Sequence, residues 1–583
     1  VDRLLSAYAS PSSVCIHDLL VSRHPSASPA LYYEAGPVSV GKPFSASDIK
    51  CLSFAEMDAL SAEFSTTLSG LGINKGSTVA VMLPKGPELM IVALAVWRLG
   101  AVYVPLFTAF GPDAINARVA DAGAQVVVTD RIQRPKFAEL GLVAGHHRIV
   151  TCSQDPVGLS ARDTPFSLKA LRLDAASRQD PAPPPISIAT EDPFVLLYTS
   201  GTTGLPKGVP VPARALASFH AYMETGLGLS QTGRDQRYLS SADPAWAYGL
   251  YYNLIGPLLL GLPATYLSGP FDPRHLLRAL QQLRVTHYAS APSAYRALKA
   301  ADACASPDSA EIERAWADLG RTIQCTSSAG EPLNVEIIQW WRSRLAGRSV
   351  ADHYGQAETG MLVNWHWGDA PKEYEDSVDP LWGLPGAMGR SMEGFRCVVL
   401  NEQEQEVLDR PGQLAVDLRH SPLMWFKGYW KNPRRSEECF SKCGRYYLTK
   451  DTGSAVTTGI EPVFWYSGRD DDVITSSGYR IGPFDVENTL MEDPRVVEVA
   501  VVGVPDPEGL RGEVVAAVVV LNESIAANQN TEAVAKELKV LVQTRLSRHC
   551  YPRVIRFVAA LPKTPSGKVQ KFKLKADLAQ GTP

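Results

Sequence analysis

Over the first 180 residues, short apolar runs alternate with amphipathic stretches. Ser77–Leu83, Ala101–Leu106 and Gln125–Thr129 have the length and β-branched content of buried strands. Pro87–Leu99 and Ala114–Ala122 place apolar residues at helical spacing. This strand–helix–strand rhythm predicts an α/β fold with mostly parallel sheets covered by helices. The run DPAPPP, Asp180–Pro185, reads as a stiff extended connector. Phe194–Tyr198 follows as a short buried strand, and further strands are expected at Thr322–Thr326 and Arg396–Asn401, the latter in a more antiparallel region. From Val496 the pattern changes to strand (VVEVAVVGV), turn (Pro505–Gly512), strand (Glu513–Leu521), a long helix (about Thr531–His549) and strand (Arg553–Val558). That is a separate, compact α+β unit. The three adjacent carboxylates of GRDDD, Gly468–Asp472, repel one another and favour exposure. A boundary there divides the chain into residues 1–470 and 471–583.

Two segments approach the length of a membrane span. Met90–Leu106 carries Arg98, and Tyr248–Leu267 is broken by Gly249, Gly256, Pro257, Gly261 and Pro263, so buried core or pocket wall is expected for both. A chain of 583 residues needs more than one core. With 45% hydrophobic and 20% charged residues, the composition is that of a globular protein. A net charge of −4 gives no reason to expect nucleic acid or an anionic membrane as partner. The nine cysteines form no C-x2-C pair, and Cys439 with Cys443 has no second pair nearby. The segment VDRLLSAYAS lacks the apolar run of a signal peptide, so a cytoplasmic chain with reduced thiols is expected.

One stretch stands out chemically. Tyr198–Val209, YTSGTTGLPKGV, gathers Thr199, Ser200, Thr202 and Thr203 with three glycines and Lys207. Hydroxyls and bare amides are donors for an anion, glycine lets the backbone approach it, and lysine adds a point charge. A polyphosphate is the natural ligand. The spacing does not match G-x4-G-K-[S/T], since Gly208 follows Lys207, so the phosphates must be held by another scheme.

Five further strings occur in order: SAGEP (Ser328–Pro332), DHYGQAETG (Asp352–Gly360), YLTKDTG (Tyr447–Gly453), SGRDDDVITSSGYR (Ser467–Arg480) and LPKTPSGKVQK (Leu561–Lys571). Together with the loop, the chain from about residue 50 onward resembles the adenylate-forming superfamily of acyl-CoA synthetases, peptide-synthetase adenylation domains and luciferases. GYRIGPFDVE, Gly478–Glu487, is most similar to acetyl-CoA and medium-chain acyl-CoA synthetases. The resemblance implies a large N-terminal domain that includes a small β-barrel-like region, and a small mobile C-terminal domain. It also implies an AMP-forming carboxylate:CoA ligase that uses ATP, Mg2+ and coenzyme A.

That reaction joins two anions. A carboxylate attacks the α-phosphorus of ATP, and two unit charges about 4 Å apart repel by roughly 4 kcal/mol at an effective dielectric near 20. Cations and aimed donors must cancel this as the in-line transition state forms. By resemblance, Thr199, Ser200, Gly201, Thr202, Thr203, Gly204 and Lys207 wrap the β- and γ-phosphates, and Glu358 is the magnesium ligand. Gly330, Glu331 and Pro332, with Asp352, His353 and Tyr354, match the adenine pocket; Asp451 and Arg469 match the ribose site. Lys568 matches the lysine that bridges carboxylate and α-phosphate, with Arg480 as a second cation. For the thiol step the family rotates its small domain. Asp471 aligns with the hinge, Gly478 with the pantetheine tunnel, and Arg545, Arg548 and Tyr551 are candidates for the nucleotide end of CoA.

The chain departs from the pattern at Ala357, where the family has threonine. A donor to the α-phosphate is missing, a loss on the order of 10²-fold in rate unless Thr359 or a main-chain N–H replaces it. In the acetyl-specific branch a tryptophan two residues before that threonine blocks the acyl pocket. Here the position is Gly355, so open space is expected, with Trp246 and Tyr248 in WAYGLYY closing the opposite wall. The substrate expected is a short-to-medium, branched or aromatic acid. Two alternatives stand beside the CoA ligase: a standalone enzyme loading a carrier protein's pantetheine thiol, and a nucleotide-binding protein that has lost catalysis.

Overall fold

A computed structural model describes residues 1–36, 44–137, 148–153, 163–177, 181–199, 206–230, 235–303, 309–365, 386–457, 461–469, 472–476, 479–506, 513–522, 531–546, 549–563 and 569–579. The first large sheet has seven strands. Thr78–Met82 lies between Val102–Pro105 and Val126–Asp130, all parallel, and Arg148–Cys152 and Asp163–Phe166 continue the parallel run. Pro193–Thr199 joins the other side of Val102–Pro105 in parallel, and Lys207–Pro212 returns antiparallel as the edge. Both faces are covered, which explains why these strands read as continuous apolar runs: Phe194, Val195, Leu196, Leu197 and Tyr198 are all buried.

The helix Pro87–Arg98 is buried on every side, packed between this sheet and the helix Phe54–Gly70. It therefore shows no clean amphipathic stripe, and this accounts for its membrane-like composition. It carries two charges, Glu88 in its first turn and, in its last, Arg98, which is paired. Its guanidinium donates to Asp58 Oδ1 at 2.7 Å and to the Pro183 carbonyl at 3.0 Å. Among the described residues, no helix is long and apolar enough to cross a membrane.

The second sheet has ten strands. Tyr238–Ser240, His287–Ser290, Cys325–Ala329 and Ala351–Gln356 run parallel, and Gly360–Asn364 turns back antiparallel. The antiparallel strands Ala387–Ser391, Pro462–Arg469, Tyr446–Thr457, Gly412–Asp417 and Cys397–Leu400 then extend the same sheet. In the described residues the region expected to resemble a small barrel thus continues the parallel sheet.

Two expectations are corrected here. The strand expected at Thr322–Thr326 begins at Cys325, because the helix Ser309–Thr322 extends to Thr322 and Ile323 packs beneath it. Tyr248–Leu267 also keeps helical form further than its glycines suggest. Ala247–Gly249 passes into a π-helical turn, Leu250–Ile255, and on to Leu260 before stopping at Gly261 with φ +69°. The wider turn absorbs Gly256 and Pro257 without a break, and the whole run is buried.

The C-terminal unit pairs Val496–Pro505 with Glu513–Leu521 antiparallel and adds Val554–Phe557 in parallel. Pro483–Met491 and Thr531–Arg545 cover one face through Leu490, Leu538 and Val542. Lys571–Ala579 packs on the other face through Leu574. Asn334 Nδ2 donates to Asn488 Oδ1 at 3.1 Å, a contact from the helix Val335–Arg344 end to the C-terminal unit.

The strand Tyr446–Thr457, which carries Asp451, is anchored at one end by a buried carboxylate. Asp417 is fully buried and accepts from Arg396 at 2.7 Å, Arg445 at 2.8 Å, His420 Nδ1 at 3.0 Å and the Arg419 amide at 3.1 Å. Burial opposes the charge, but the Arg445 and His420 donors outweigh it and hold the carboxyl well below the usual carboxylate range. Such a group stabilises the fold above its unfolded value near 4, and this contribution fades as pH falls towards the folded value. Asp417→Asn should therefore destabilise the N-terminal domain by about 1–3 kcal/mol at pH 7, with the arginines half-exposed and able to turn to water. Its urea midpoint should also fall less than the parent's between pH 4.5 and 2.5, a window set by the carboxylate range of about 4.

Candidate active site

Ligands of open α/β sheets bind outside the carboxyl ends of the parallel strands. Both large sheets direct those ends to one crevice. From the first sheet comes Pro193–Thr199, whose last residue pairs directly with Lys207 across the edge strand. That pairing closes the hydroxyl- and glycine-rich loop. Its residues Ser200, Gly201, Thr202, Thr203 and Gly204 lie outside the described residues. Thr199 Oγ1 at the mouth of the loop is buried and has no hydrogen-bond partner among the described residues. A donor left unpaired in this way fits a ligand oxygen.

From the second sheet come Ala329, Gly330 and the tight turn after Gln356. Glu358 is buried with 9% of its surface exposed, and Tyr429 donates its hydroxyl to Oε1 at 2.7 Å. Lys207 Nζ approaches the same hydroxyl at 3.4 Å and lies 4.7 Å from the centre of the Tyr429 ring. The crevice therefore brings Lys207 and Glu358 together through a tyrosine that the motifs do not contain. GYW, Gly428–Trp430, is the sequence signal, but nothing in its composition distinguishes it from core aromatics.

A second group surrounds Asp451. Tyr354 and Gln356 Nε2 each donate to Oδ2 at 2.6 Å, and Arg469 lies 3.9 Å from Oδ1 across the antiparallel pair Asp451–Arg469. Burial raises the Asp451 carboxyl and Arg469 opposes the shift. Gln356 itself is fixed by the Thr449 carbonyl at 2.8 Å and by the Tyr447 hydroxyl at 2.9 Å. Gln356, Thr449 and Tyr447 thus join the expected pair.

Asp352 is buried at the adjoining strand end. Leu333 N–H donates to Oδ2 at 3.2 Å, while Oδ1 has no hydrogen-bond partner among the described residues, and burial pushes the carboxyl up to about 7 against the backbone donors of Leu333 and His353. His353 Nδ1 lies 2.8 Å from the Tyr222 hydroxyl. Gly330 has φ +94° and open space beside it, so this turn both requires glycine and leaves room. The Glu331 carboxylate is paired with Arg296 at 3.0 Å, so at this turn its backbone faces the space more freely than its side chain.

Magnesium fits the residues present. Glu358 supplies a hard carboxylate oxygen, and no group of three or more His, Cys, Asp or Glu able to hold a metal occurs among the described residues. One carboxylate suits an ion whose other ligands are nucleotide phosphates and water.

The acyl-side expectation needs correction. A Cβ on Gly355 would lie 2.2 Å from the Gly360 carbonyl oxygen and 2.7 Å from Met361 Cα. The strands of the hairpin press together at a register shift between Tyr354 and Gly355, so the missing side chain there leaves no open space. Trp246 packs on Phe107 and Phe110 at ring distances of 5.3 and 5.7 Å. Tyr248 faces elsewhere, towards the Tyr222 hydroxyl and Ser327 Oγ, both at 3.1 Å. Thr359 does not replace the donor missing at Ala357. It is fully buried, and its hydroxyl donates to the Gly360 carbonyl at 2.8 Å. Ala357 contributes its own carbonyl to the Tyr251 hydroxyl at 2.9 Å.

In the C-terminal unit Asp471, Gly478, Arg548 and Lys568 lie outside the described residues. Arg480 is described only as backbone, paired with Thr475. Arg545 is 3.6 Å from Glu492, and the cation over the Tyr551 ring is Arg553, at 5.0 Å.

The profile of the AMP-binding enzyme family matches residues 22–430, and that of the AMP-binding enzyme C-terminal domain matches residues 485–568. Acetyl-coenzyme A synthetase of Bacillus subtilis (strain 168) is 31% identical over 533 residues, 90% of this chain and 84% of the relative. The 4-hydroxybutyrate–CoA ligase 1 of Metallosphaera sedula is also 31% identical, over 538 residues, with 90% and 84% covered. The crystal structure of an acyl-CoA synthetase from Brucella canis superposes with a TM-score of 0.69 and 38% identity over 100% of this chain and 98% of the other. The chain belongs to the AMP-binding enzyme family and is an AMP-forming acyl-CoA synthetase that uses ATP and CoA.

The hairpin geometry makes a specific prediction. Gly355→Ala should cost about 1–3 kcal/mol in stability through overpacking against backbone. It should also lower pyrophosphate release, because the strain falls on the turn that carries Glu358. Thermal denaturation and a pyrophosphate assay check the two effects together.

Proposed function

We propose that this member of the AMP-binding enzyme family activates a short-to-medium, branched or aromatic carboxylic acid as its acyl-adenylate and then transfers the acyl group to CoA. The observation that carries the reading is the convergence of Lys207, Glu358 and the Asp451–Arg469 pair on one crevice at strand carboxyl ends. In this reading the loop Thr199–Gly204, with Lys207, binds the β- and γ-phosphates. Glu358 would hold magnesium, which when bound would supply positive charge against the leaving pyrophosphate. The unpaired Asp352 Oδ1 is a buried acceptor suited to an exocyclic adenine amine, with Gly330–Pro332, His353 and Tyr354 forming the surrounding pocket. Asp451 accepts from the ribose hydroxyls.

Lys568 and Arg480 meet the α-phosphate and the acid carboxylate. Residues 471–583 turn about Asp471 between the half-reactions, and Gly478, Arg545, Arg548 and Tyr551 then serve CoA. Support for an upper limit on acyl size comes from Tyr251 and Tyr252, whose rings are buried in the helical run after Trp246 and whose hydroxyls meet the Ala357 carbonyl and the Met361 amide, each at 2.9 Å, beside the Glu358 turn. Each buried methylene adds about 0.8 kcal/mol, so acetate is disfavoured by lost contact and long chains by lack of room.

Pyrophosphate release and thioester formation with acetate, butyrate, hexanoate, isobutyrate, benzoate and laurate test the substrate class. The intermediate acids should show the highest kcat/KM; a preference for acetate or laurate would overturn it. A carrier-protein acceptor that outcompetes free CoA would replace the second step. For the mechanism, Lys568→Ala should nearly abolish adenylation while sparing thioester formation from supplied acyl-adenylate. Adenylation near the parental rate would remove Lys568 from its role.

A further inference from the structure

Lys207 and Glu358 carry opposite charges on facing sides of the crevice, yet no direct ion pair joins them among the described residues. Tyr429 stands between. Its hydroxyl has one proton, given to Glu358 Oε1 at 2.7 Å, and its oxygen faces Lys207 Nζ at 3.4 Å. The ring supplies a second site for the cation at 4.7 Å. The phenol is fixed from its own backbone outward. Tyr429 N–H donates to Ser436 Oγ at 2.8 Å, Trp430 N–H to the Gly208 carbonyl at 2.8 Å, and the Trp430 indole to the Asp121 carbonyl at 3.2 Å. The ring of Phe426 packs 5.1 Å away. The same segment is thus pinned both to its own turn and to the strand that begins with Lys207.

We propose that Tyr429 is a positioning residue for MgATP: it holds the Lys207 ammonium and the Glu358 carboxylate apart and oriented, so that neither neutralises the other before the nucleotide enters. Without the hydroxyl, a cation and a carboxylate at this separation would close into an ion pair that MgATP must first break. With it, Glu358 Oε1 is anchored and Oε2 is left for a metal ion. The proposal rests on the assignment of Lys207 to phosphate and Glu358 to magnesium.

The test is calorimetric binding of MgATP, without acid or CoA, to the full chain and to Tyr429→Phe, Glu358→Gln and the double variant. Phenylalanine keeps the ring against Phe426 and beneath Lys207 and removes only the hydroxyl; the thermal midpoint confirms an intact fold. Tyr429→Phe should weaken MgATP binding by about tenfold, the worth of one hydrogen bond to a charged group. The double variant should bind no worse than Glu358→Gln alone, because the hydroxyl acts through that carboxylate. In turnover, KM for MgATP should rise while KM for the acid stays unchanged. MgATP binding within about twofold of the parent, or losses that multiply in the double variant, would overturn the proposal. Should Glu358→Gln alone leave MgATP affinity unchanged, it is the magnesium assignment that falls.

Discussion

The register between Pro193–Thr199 and Lys207–Pro212 is the constraint on which the rest of the site depends. Thr199 faces Lys207, Tyr198 faces Gly208 and Leu197 faces Val209, so the hydroxyl loop must close over a fixed span. A slip of one residue would turn Lys207 to the other face of the sheet. The strand can hold this register because its other side is paired in parallel with Val102–Pro105 and its apolar side chains are buried on both faces. Gly208 is part of the same arrangement. A Cβ there would meet Trp430 at 3.0 Å, so the bare position lets the Tyr429–Trp430 segment pack tightly on the strand.

The site also shows how carboxylates are kept in a protected crevice. Glu358 and Asp451 are each buried and each receive a short bond from a phenol, Tyr429 and Tyr354 respectively. A phenol neutralises no charge. It gives one directed donor and leaves the carboxylate able to attract a cation or a diol. Asp352 has only backbone donors and an unpaired oxygen, and its affinity for a proton rises accordingly.

Much of this was legible in the chain. Four parallel strands of the first sheet fall within a residue or two of the apolar runs, since burial on both faces writes a clear pattern, while the outer strands Arg148–Cys152 and Asp163–Phe166, more polar and short, give no such signal. The loop after Thr199, Glu358 and Asp451 stand in strings that resemble the family's motifs. Gln356 and Tyr447 lie within those strings but nothing there sets them apart, and Tyr429 lies outside them, because an aromatic or amide that acts by orienting another side chain has the same local signature as core packing. The strand expected at Thr322–Thr326 failed for a similar reason: a short apolar run beside a helix end belongs to whichever element finds a partner, and only Cys325 onward pairs with His287–Ser290. At Gly355 the residue type suggests vacancy, whereas the structure uses it for a close approach of two backbones.

That last feature bears on how the protein can diverge. Where a pocket is bounded by side chains, single substitutions can shift its dimensions gradually. At Gly355 main chain meets main chain, so reshaping this side of the site demands a change in the path of the hairpin itself. Change comes more readily on the facing element, the π-helical turn Leu250–Ile255, which carries nearly one residue more per turn than an α-helix and whose Tyr251 and Tyr252 bond to this hairpin. Loss of that extra residue would rotate everything before it by roughly a third of a turn and alter which rings face the hairpin in one genetic step.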